Sequence, residues 1–166
     1  MRPCRRSISV ENNQRIIMAR ITIYTDGGAR GNPGPAGIGI VIEGLTGGKK
    51  TFGEYIGETT NNEAEYRALI VALQKLMEFS GKEKFEQIDC YADSELIDRQ
   101  LNGEYKVKDT NLRGLFMEVL KLKSELKAPI LFHHVKREEN AEADELLNHV
   151  LDKETGRPKF DRNRIL

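Results

Sequence analysis

No stretch of this chain approaches the roughly 18 consecutive apolar residues that a membrane-spanning helix needs, and its first residues lack the apolar core of a secretory signal. Cysteine is scarce: Cys4 and Cys90 are the two in 166 residues. One lies in a polar N-terminal stretch and the other inside a strand-like pattern, which argues against a disulfide and for free thiols in a reducing compartment. Net charge is lacking too. Lys plus Arg and Asp plus Glu balance at 26 each, so a polyanionic partner would be held by local basic patches, and bulk charge neither proposes nor excludes nucleic acid. The expectation is a soluble, cytoplasmic protein with no membrane contact, a single domain long enough to bury its core without metal or disulfide staples.

What is present begins with a glycine-rich stretch, Asp26-Gly27-Gly28-Ala29-Arg30-Gly31-Asn32-Pro33-Gly34. It separates an alternating run, Arg20 to Asp26, from a second strand-like run, Gly37 to Glu43. A turn at Gly44 to Gly48 leads into a third, Lys49 to Ile56, so an antiparallel meander is expected. Thr60-Asn61-Asn62-Glu63 offers capping residues for a helix with Leu69, Ala72, Leu73, Leu76 and Phe79 at helical spacing, ended by Ser80-Gly81. Phe85 to Ala92 is a fourth strand, Ser94 to Leu101 a short helix, Asn111 to Leu126 a longer one, Ile130 to Val135 a fifth strand and Glu138 to Asp152 a last helix. Three hairpin strands followed by strands alternating with helices give an α/β fold, a mixed sheet with later strands parallel to the first. Residues 1–19 read as a disordered, arginine-bearing arm, as the product of an early start site ahead of Met18, or as a basic tail for nucleic acid. Residues 153–166 read as a loose polar tail.

Acidic residues recur where such a sheet would bring them together. Asp26 and Asp93 each close a strand, and if those strands are parallel neighbours both carboxylates leave one end of the sheet, where ligands bind in open α/β sheets. Glu65 falls on the core-facing stripe of the first helix, whereas Glu63 points nearly opposite; the plainer alternative is a capping-box glutamate reaching back to Asn62. In the last helix Asp144 and Glu142 both border the stripe of Ala143, Leu147 and Val150, and the helical wheel does not decide between them. Each acid alone has an ordinary explanation as a turn, cap or helix-dipole residue.

Together the blocks Asp26-Gly-Gly with Gly31-Asn32-Pro33-Gly34, Thr60-Asn61-Asn62-Glu63-Ala64-Glu65, Tyr91-Ala92-Asp93-Ser94 and Arg137 through Leu146 resemble the signature of type 1 ribonuclease H. They fall in the family's order across residues 20–152, which makes chance a poor explanation. The resemblance implies a ribonuclease H-like fold with five strands in order 3-2-1-4-5, the first three antiparallel, and helices on both faces. It implies endonucleolytic hydrolysis of the RNA strand of RNA/DNA hybrids to 5′-phosphate and 3′-hydroxyl ends, by a chain expected to be a monomer. It also selects Asp144 over Glu142, so that Asp26, Glu65, Asp93 and Asp144 would hold two Mg²⁺ ions, with Mn²⁺ as a substitute. The chemistry suits that set, because two cations about 4 Å apart activate water on one side of a phosphodiester and stabilise the leaving oxygen on the other. By the same resemblance the backbone of Gly27, Gly28, Ala29 and Arg30 and the side chains of Asn32, Asn61, Asn62 and Glu95 would border the minor groove, where the 2′-hydroxyl marks RNA. Thr60 and Asn61 would lie near DNA phosphates.

Two departures bear on mechanism. The segment between the fourth and fifth strands is short, and with no tryptophan in the chain the family's basic, tryptophan-bearing protrusion is absent. Lys106, Lys108 and Arg113 remain as candidate phosphate contacts, a solvated charged face being the plainer reading, so weaker, salt-sensitive binding is expected. The loop before the last helix is short as well, as in a short-loop branch of the family: Arg137 stands where many members carry a histidine, and a guanidinium there can hold a phosphate but cannot serve as a base. His133 and His134 read first as strand side chains, with His134 the alternative to Arg137 in the place of that histidine. Competing readings are an inactive hybrid-binding module, and a related nuclease acting on duplex RNA or DNA.

Overall fold

In the residues that the computed structural model describes, 18–156, the period-two pattern of the first third folds as three antiparallel strands, β1 (Met18–Ala29), β2 (Gly34–Glu43) and β3 (Lys50–Thr59). The chain continues through α1 (Asn61–Ser80), β4 (Lys84–Ala92), α2 (Glu95–Leu101), α3 (Thr110–Leu126), β5 (Ile130–His134), a 3₁₀ turn at Arg137–Asn140 and α4 (Ala141–Thr155). Sheet order is β3-β2-β1-β4-β5, with β4 parallel to β1 and β5 parallel to β4. This is the expected α/β architecture. Among the described residues no helix is long and apolar enough to cross a membrane.

Alternation assigns the two faces. Ile21 and Ile23 of β1 and Ile38, Ile40 and Ile42 of β2 point to α1, where they pack with Leu69, Leu73 and Leu76. Each such side chain, removed from water, contributes about 1.5–3 kcal/mol. The opposite face of β1, β2 and β3 is paved with glycine, and α4 lies on it. A Cβ on Gly39 would fall 2.0 Å from the Ala143 carbonyl oxygen, one on Gly53 2.8 Å from Val150, and one on Gly37 3.1 Å from Leu147. On the α1 side a Cβ on Gly27 would fall 2.2 Å from the Ala64 carbonyl oxygen. Both helices therefore reach the sheet backbone itself.

Several boundaries differ from the sequence reading. β1 begins at Met18 rather than Arg20, because β4 continues beside it from Lys84 and buries Ala19; the rest of the expected arm, residues 1–17, lies outside the described residues. β1 also runs on past Asp26, since Gly27, Gly28 and Ala29 stay in register with Ile38, Gly37 and Ala36 of β2. The helix expected from Glu138 is instead a 3₁₀ turn followed by α4, broken where Asn140 leaves helical geometry (φ −111°, ψ 21°). α4 extends three residues into the expected tail, held by buried Leu151 and by the Thr155 hydroxyl, which donates to the Leu151 carbonyl at 2.7 Å. Residues 157–166 lie outside the described residues.

The glycine contacts make a paired prediction. Gly39→Ala and Gly27→Ala each drive a methyl group into helix backbone and are expected to cost about 1–3 kcal/mol. Gly114→Ala, in α3 with nothing within 4 Å of the added methyl, is expected to add about 0.5–1 kcal/mol through helix propensity. Thermal unfolding of the three variants checks both signs.

Candidate active site

Because β1 and β4 are parallel, their chains leave the sheet at one edge. Their pairing stops at Thr25 and Ala92, so the next residue on each strand, Asp26 and Asp93, stands at that edge. α1 adds Glu65 in its second turn, placed by the contact of Ala64 with Gly27. The capping role falls to Thr60, whose hydroxyl accepts the Glu63 N–H at 3.3 Å, and Glu65 is left for the cluster. Carboxylate oxygens of Asp26, Glu65 and Asp93 all lie within 4.8 Å of one another. α4 supplies Asp144 from its first turn, near enough to the Asp26 side chain to raise its pKa and accepting from Arg137 Nη2 at 3.3 Å. Glu142, which the wheel could not separate from Asp144, is turned away to Lys49, 2.8 Å from its Nζ.

Electrostatics mark this cluster as unstable by itself. Burial, then the neighbouring charges of Asp93 and Asp144, push the Asp26 carboxyl up to about 8, against the pull of Arg137. Glu65 is raised well above the ordinary carboxylate range by burial and then by Asp26 and Asp93, although a backbone hydrogen bond from Gly27 acts the other way. Asp93 is raised by burial as well, with Arg137 opposing. Carboxyls raised in this way hold protons where no counter-charge is bound. Four oxygen-donor carboxylates against one guanidinium form a set suited to hard divalent cations, which can take the place of those protons.

The cleft around them, about 490 Å³, is lined also by Gly27, Gly28, Ala29, Arg30, Asn61 and Ser94, and by Leu147, Asn148 and Leu151 of α4. Asn61 and Asn32 lock its rim: Asn61 Oδ1 accepts the Ala29 N–H at 2.8 Å and Asn32 Oδ1 accepts the Asn61 N–H at 3.1 Å. Asn62 is exposed on the first turn of α1. The Arg30 side chain reaches from the cleft wall to the C-terminal end of α4, donating to Thr155 Oγ1 at 2.9 Å and pairing with Asp152. Glu95 does not line the cleft; it pairs with Arg99 one turn along α2 at 2.6 Å. His133 is likewise engaged elsewhere, against Asp89 at 2.8 Å and stacked on Tyr91, while the exposed His134 is near enough to lower the pKa of Asp93. Sequence reasoning missed Asn148, one turn after Asp144 on the same face, where the i+4 spacing was available as a signal.

A raised carboxyl sets the sign of a pH effect. Between its ordinary value of 3.8 and about 8, native Asp26 keeps a proton that the unfolded chain has lost, so metal-free stability falls as pH rises through that window. Asp26→Asn removes the titration. In EDTA at pH 8 the variant is expected to melt above the wild type by about 2–10 °C, a gain of about 1–3 kcal/mol, with the margin closing near pH 4. An equal margin at both pH values would contradict this.

Comparison with known proteins agrees with the geometry. A family model described as reverse transcriptase-like matches residues 24–150. Ribonuclease HI of Halobacterium salinarum is 38% identical over 80% of this chain, which spans 65% of that protein's length. A bifunctional protein of Mycobacterium tuberculosis is 36% identical over 80% of the chain, which spans 36% of it. Among solved structures, LC11 ribonuclease H1 in complex with an RNA/DNA hybrid superposes with a TM-score of 0.76 at 50% identity, covering 81% of this chain and 99% of that one. The ribonuclease H domain of the mycobacterial protein superposes at 0.75 with 34% identity, covering 83% and 97%. With such identity across nearly the whole of the LC11 protein and the same motif residues gathered at one sheet edge, this chain belongs to the ribonuclease HI family.

Proposed function

We propose that the chain is an endoribonuclease that hydrolyses the RNA strand of RNA/DNA hybrids with the help of two Mg²⁺ ions. The observation that carries this reading is the meeting of Asp26, Glu65 and Asp93 within 4.8 Å at the end of the sheet, with Asp144 in the same cleft. The LC11 relative, bound to a hybrid, supports the choice of substrate. Asp26, Glu65, Asp93 and Asp144 would together hold the ions, since all four carboxylates meet at one end of the sheet. Bound divalent ions supply water activation and charge relief at the leaving oxygen.

The chain's own residues do the rest. The carboxylates hold the reacting region in a fixed frame, because Asp26, Glu65 and Asp144 hang on a strand or helix and Asp93 follows directly on the last residue of β4. Arg137, largely exposed and tied to Asp144, can exchange that partner for a phosphate oxygen and draw the backbone into the cleft. Gly27 to Arg30 line the cleft with little side chain between backbone and solvent from Gly28 to Ala29, a surface on which a minor groove can rest, and there a 2′-hydroxyl is the group that distinguishes RNA. Asn32 and Asn61 keep this surface rigid. Between α2 and α3 the connection carries Tyr105, Lys106 and Lys108, a small basic surface for the DNA strand, which makes binding weak and salt-sensitive.

The test offers hybrid, duplex RNA and duplex DNA separately, at stated salt, with Mg²⁺. Hybrid is expected to be cut in its RNA strand, leaving 5′-phosphate and 3′-hydroxyl ends. Asp93→Asn is expected to lose about 10³-fold or more in rate, the equivalent of several kcal/mol of transition-state stabilisation. Equal inertness of wild type and variant would favour a binding module, and preference for either duplex would replace the substrate assignment.

A further inference from the structure

Among the described residues one buried side-chain polar atom has no hydrogen-bond partner, the Oδ1 of Asn140. The residue is 1% exposed. A buried acceptor without a donor is rare and unfavourable, so the position is occupied by asparagine for what its other end does. Nδ2 donates to the Thr25 carbonyl at 2.9 Å. That carbonyl belongs to the peptide unit joining Thr25 to Asp26, and the bond therefore fixes the plane from which the Asp26 side chain departs.

Asn140 occupies the N-cap position of α4, yet its side chain makes no capping bond. Its amide is directed to β1 instead of to the helix it precedes. Asp144 follows one turn later on the same side of the helix, and Arg137 stands three residues earlier, at the start of the 3₁₀ turn. One amide thus links the strand that carries Asp26 to the junction between the residues that carry Asp144 and Arg137.

We infer that Asn140 is a positioning residue: its bond to the Thr25 carbonyl sets where α4 begins on β1, and so how Asp144 and Arg137 meet Asp26, without touching metal or substrate. This rests on the reading of the four acids as a divalent-cation site. A side chain that only filled space here would influence folding alone. One that sets the spacing of the acids influences cation affinity and turnover beyond any change in stability.

The experiment compares wild type, Asn140→Leu and Val119→Ala, the last a cavity in the α3 core remote from the cleft. Mn²⁺ affinity is measured by calorimetry without substrate, and kcat and KM are measured on hybrid with Mg²⁺. Asn140→Leu is expected to bind Mn²⁺ three- to tenfold more weakly and to lose tenfold or more in kcat, with KM within twofold. Val119→Ala, whatever its melting temperature, is expected to change neither. Wild-type Mn²⁺ affinity in Asn140→Leu would overturn the inference, as would an equal loss in Val119→Ala. If Asn140→Leu does not fold, Asn140→Ser replaces it, since a hydroxyl one atom shorter does not span to the Thr25 carbonyl. A wild type that binds Mn²⁺ but cleaves no hybrid would sink the proposed substrate and leave the Mn²⁺ comparison to decide the role of Asn140.

Discussion

Two helices touch the central strands backbone to backbone, and both contacts adjoin Asp26. Gly27 follows it in sequence and admits Ala64 of α1; Gly39 pairs with it across the sheet and admits Ala143 of α4. In each helix the touching residue is an alanine, and the next residue is an acid, Glu65 or Asp144. The absence of Cβ atoms at two sheet positions thereby fixes, from opposite faces, how far two carboxylates stand from a third. Interiors are close-packed and respond stiffly to added volume, so the spacing is a property of the fold and not of flexible side chains.

Such rigidity matters because the acids repel. Asp26, Glu65 and Asp93 are all shifted upward, burial being the largest cause in each, and a soft scaffold would relieve them by spreading. Here the opposing force is the apolar layer between α1 and the sheet, where Ile23, Ile38, Ile40, Leu73 and Leu76 are fully buried. Stability in that layer holds charge in an arrangement that would not persist in isolation. A strained but well-supported cluster of this kind is common at functional sites.

Much of this was legible in the sequence. Asp26, Asp93 and the parallel pairing that joins them followed from alternation and from the helical crossover, and the apolar stripe of α1 made Glu65 a candidate that a capping-box reading equally allowed. Asp144 did not follow from pattern, because its helix borders the stripe with two acids; what separates them is the rotation imposed where Ala143 meets Gly39, a contact of residues more than a hundred positions apart. Strand ends were misjudged for a related reason. Met18 and Ala19 carry little pattern and are strand because β4 runs beside them, and Glu95 was drawn away by Arg99, a local pair that a resemblance to other sequences does not reveal. Asn140 was visible as a motif residue, but its bond to Thr25 spans 115 positions.

The short loop before α4 sets Arg137 against all three raised acids, whereas His134 acts on Asp93 alone of the three. Arg137 is the cation that opposes the raised pKa of Asp26, Glu65 and Asp93 alike, and a guanidinium keeps its charge throughout the physiological range. Its charge is therefore constant, while the protons that the acids hold vary with pH. On the proposed reading, a divalent ion entering the cluster must displace those protons, since ligating carboxylates are ionised. Loading of the site, rather than ionisation of a base beside it, then governs how activity responds to pH, with the steepest rise below the value of about 8 that burial and crowding impose on Asp26.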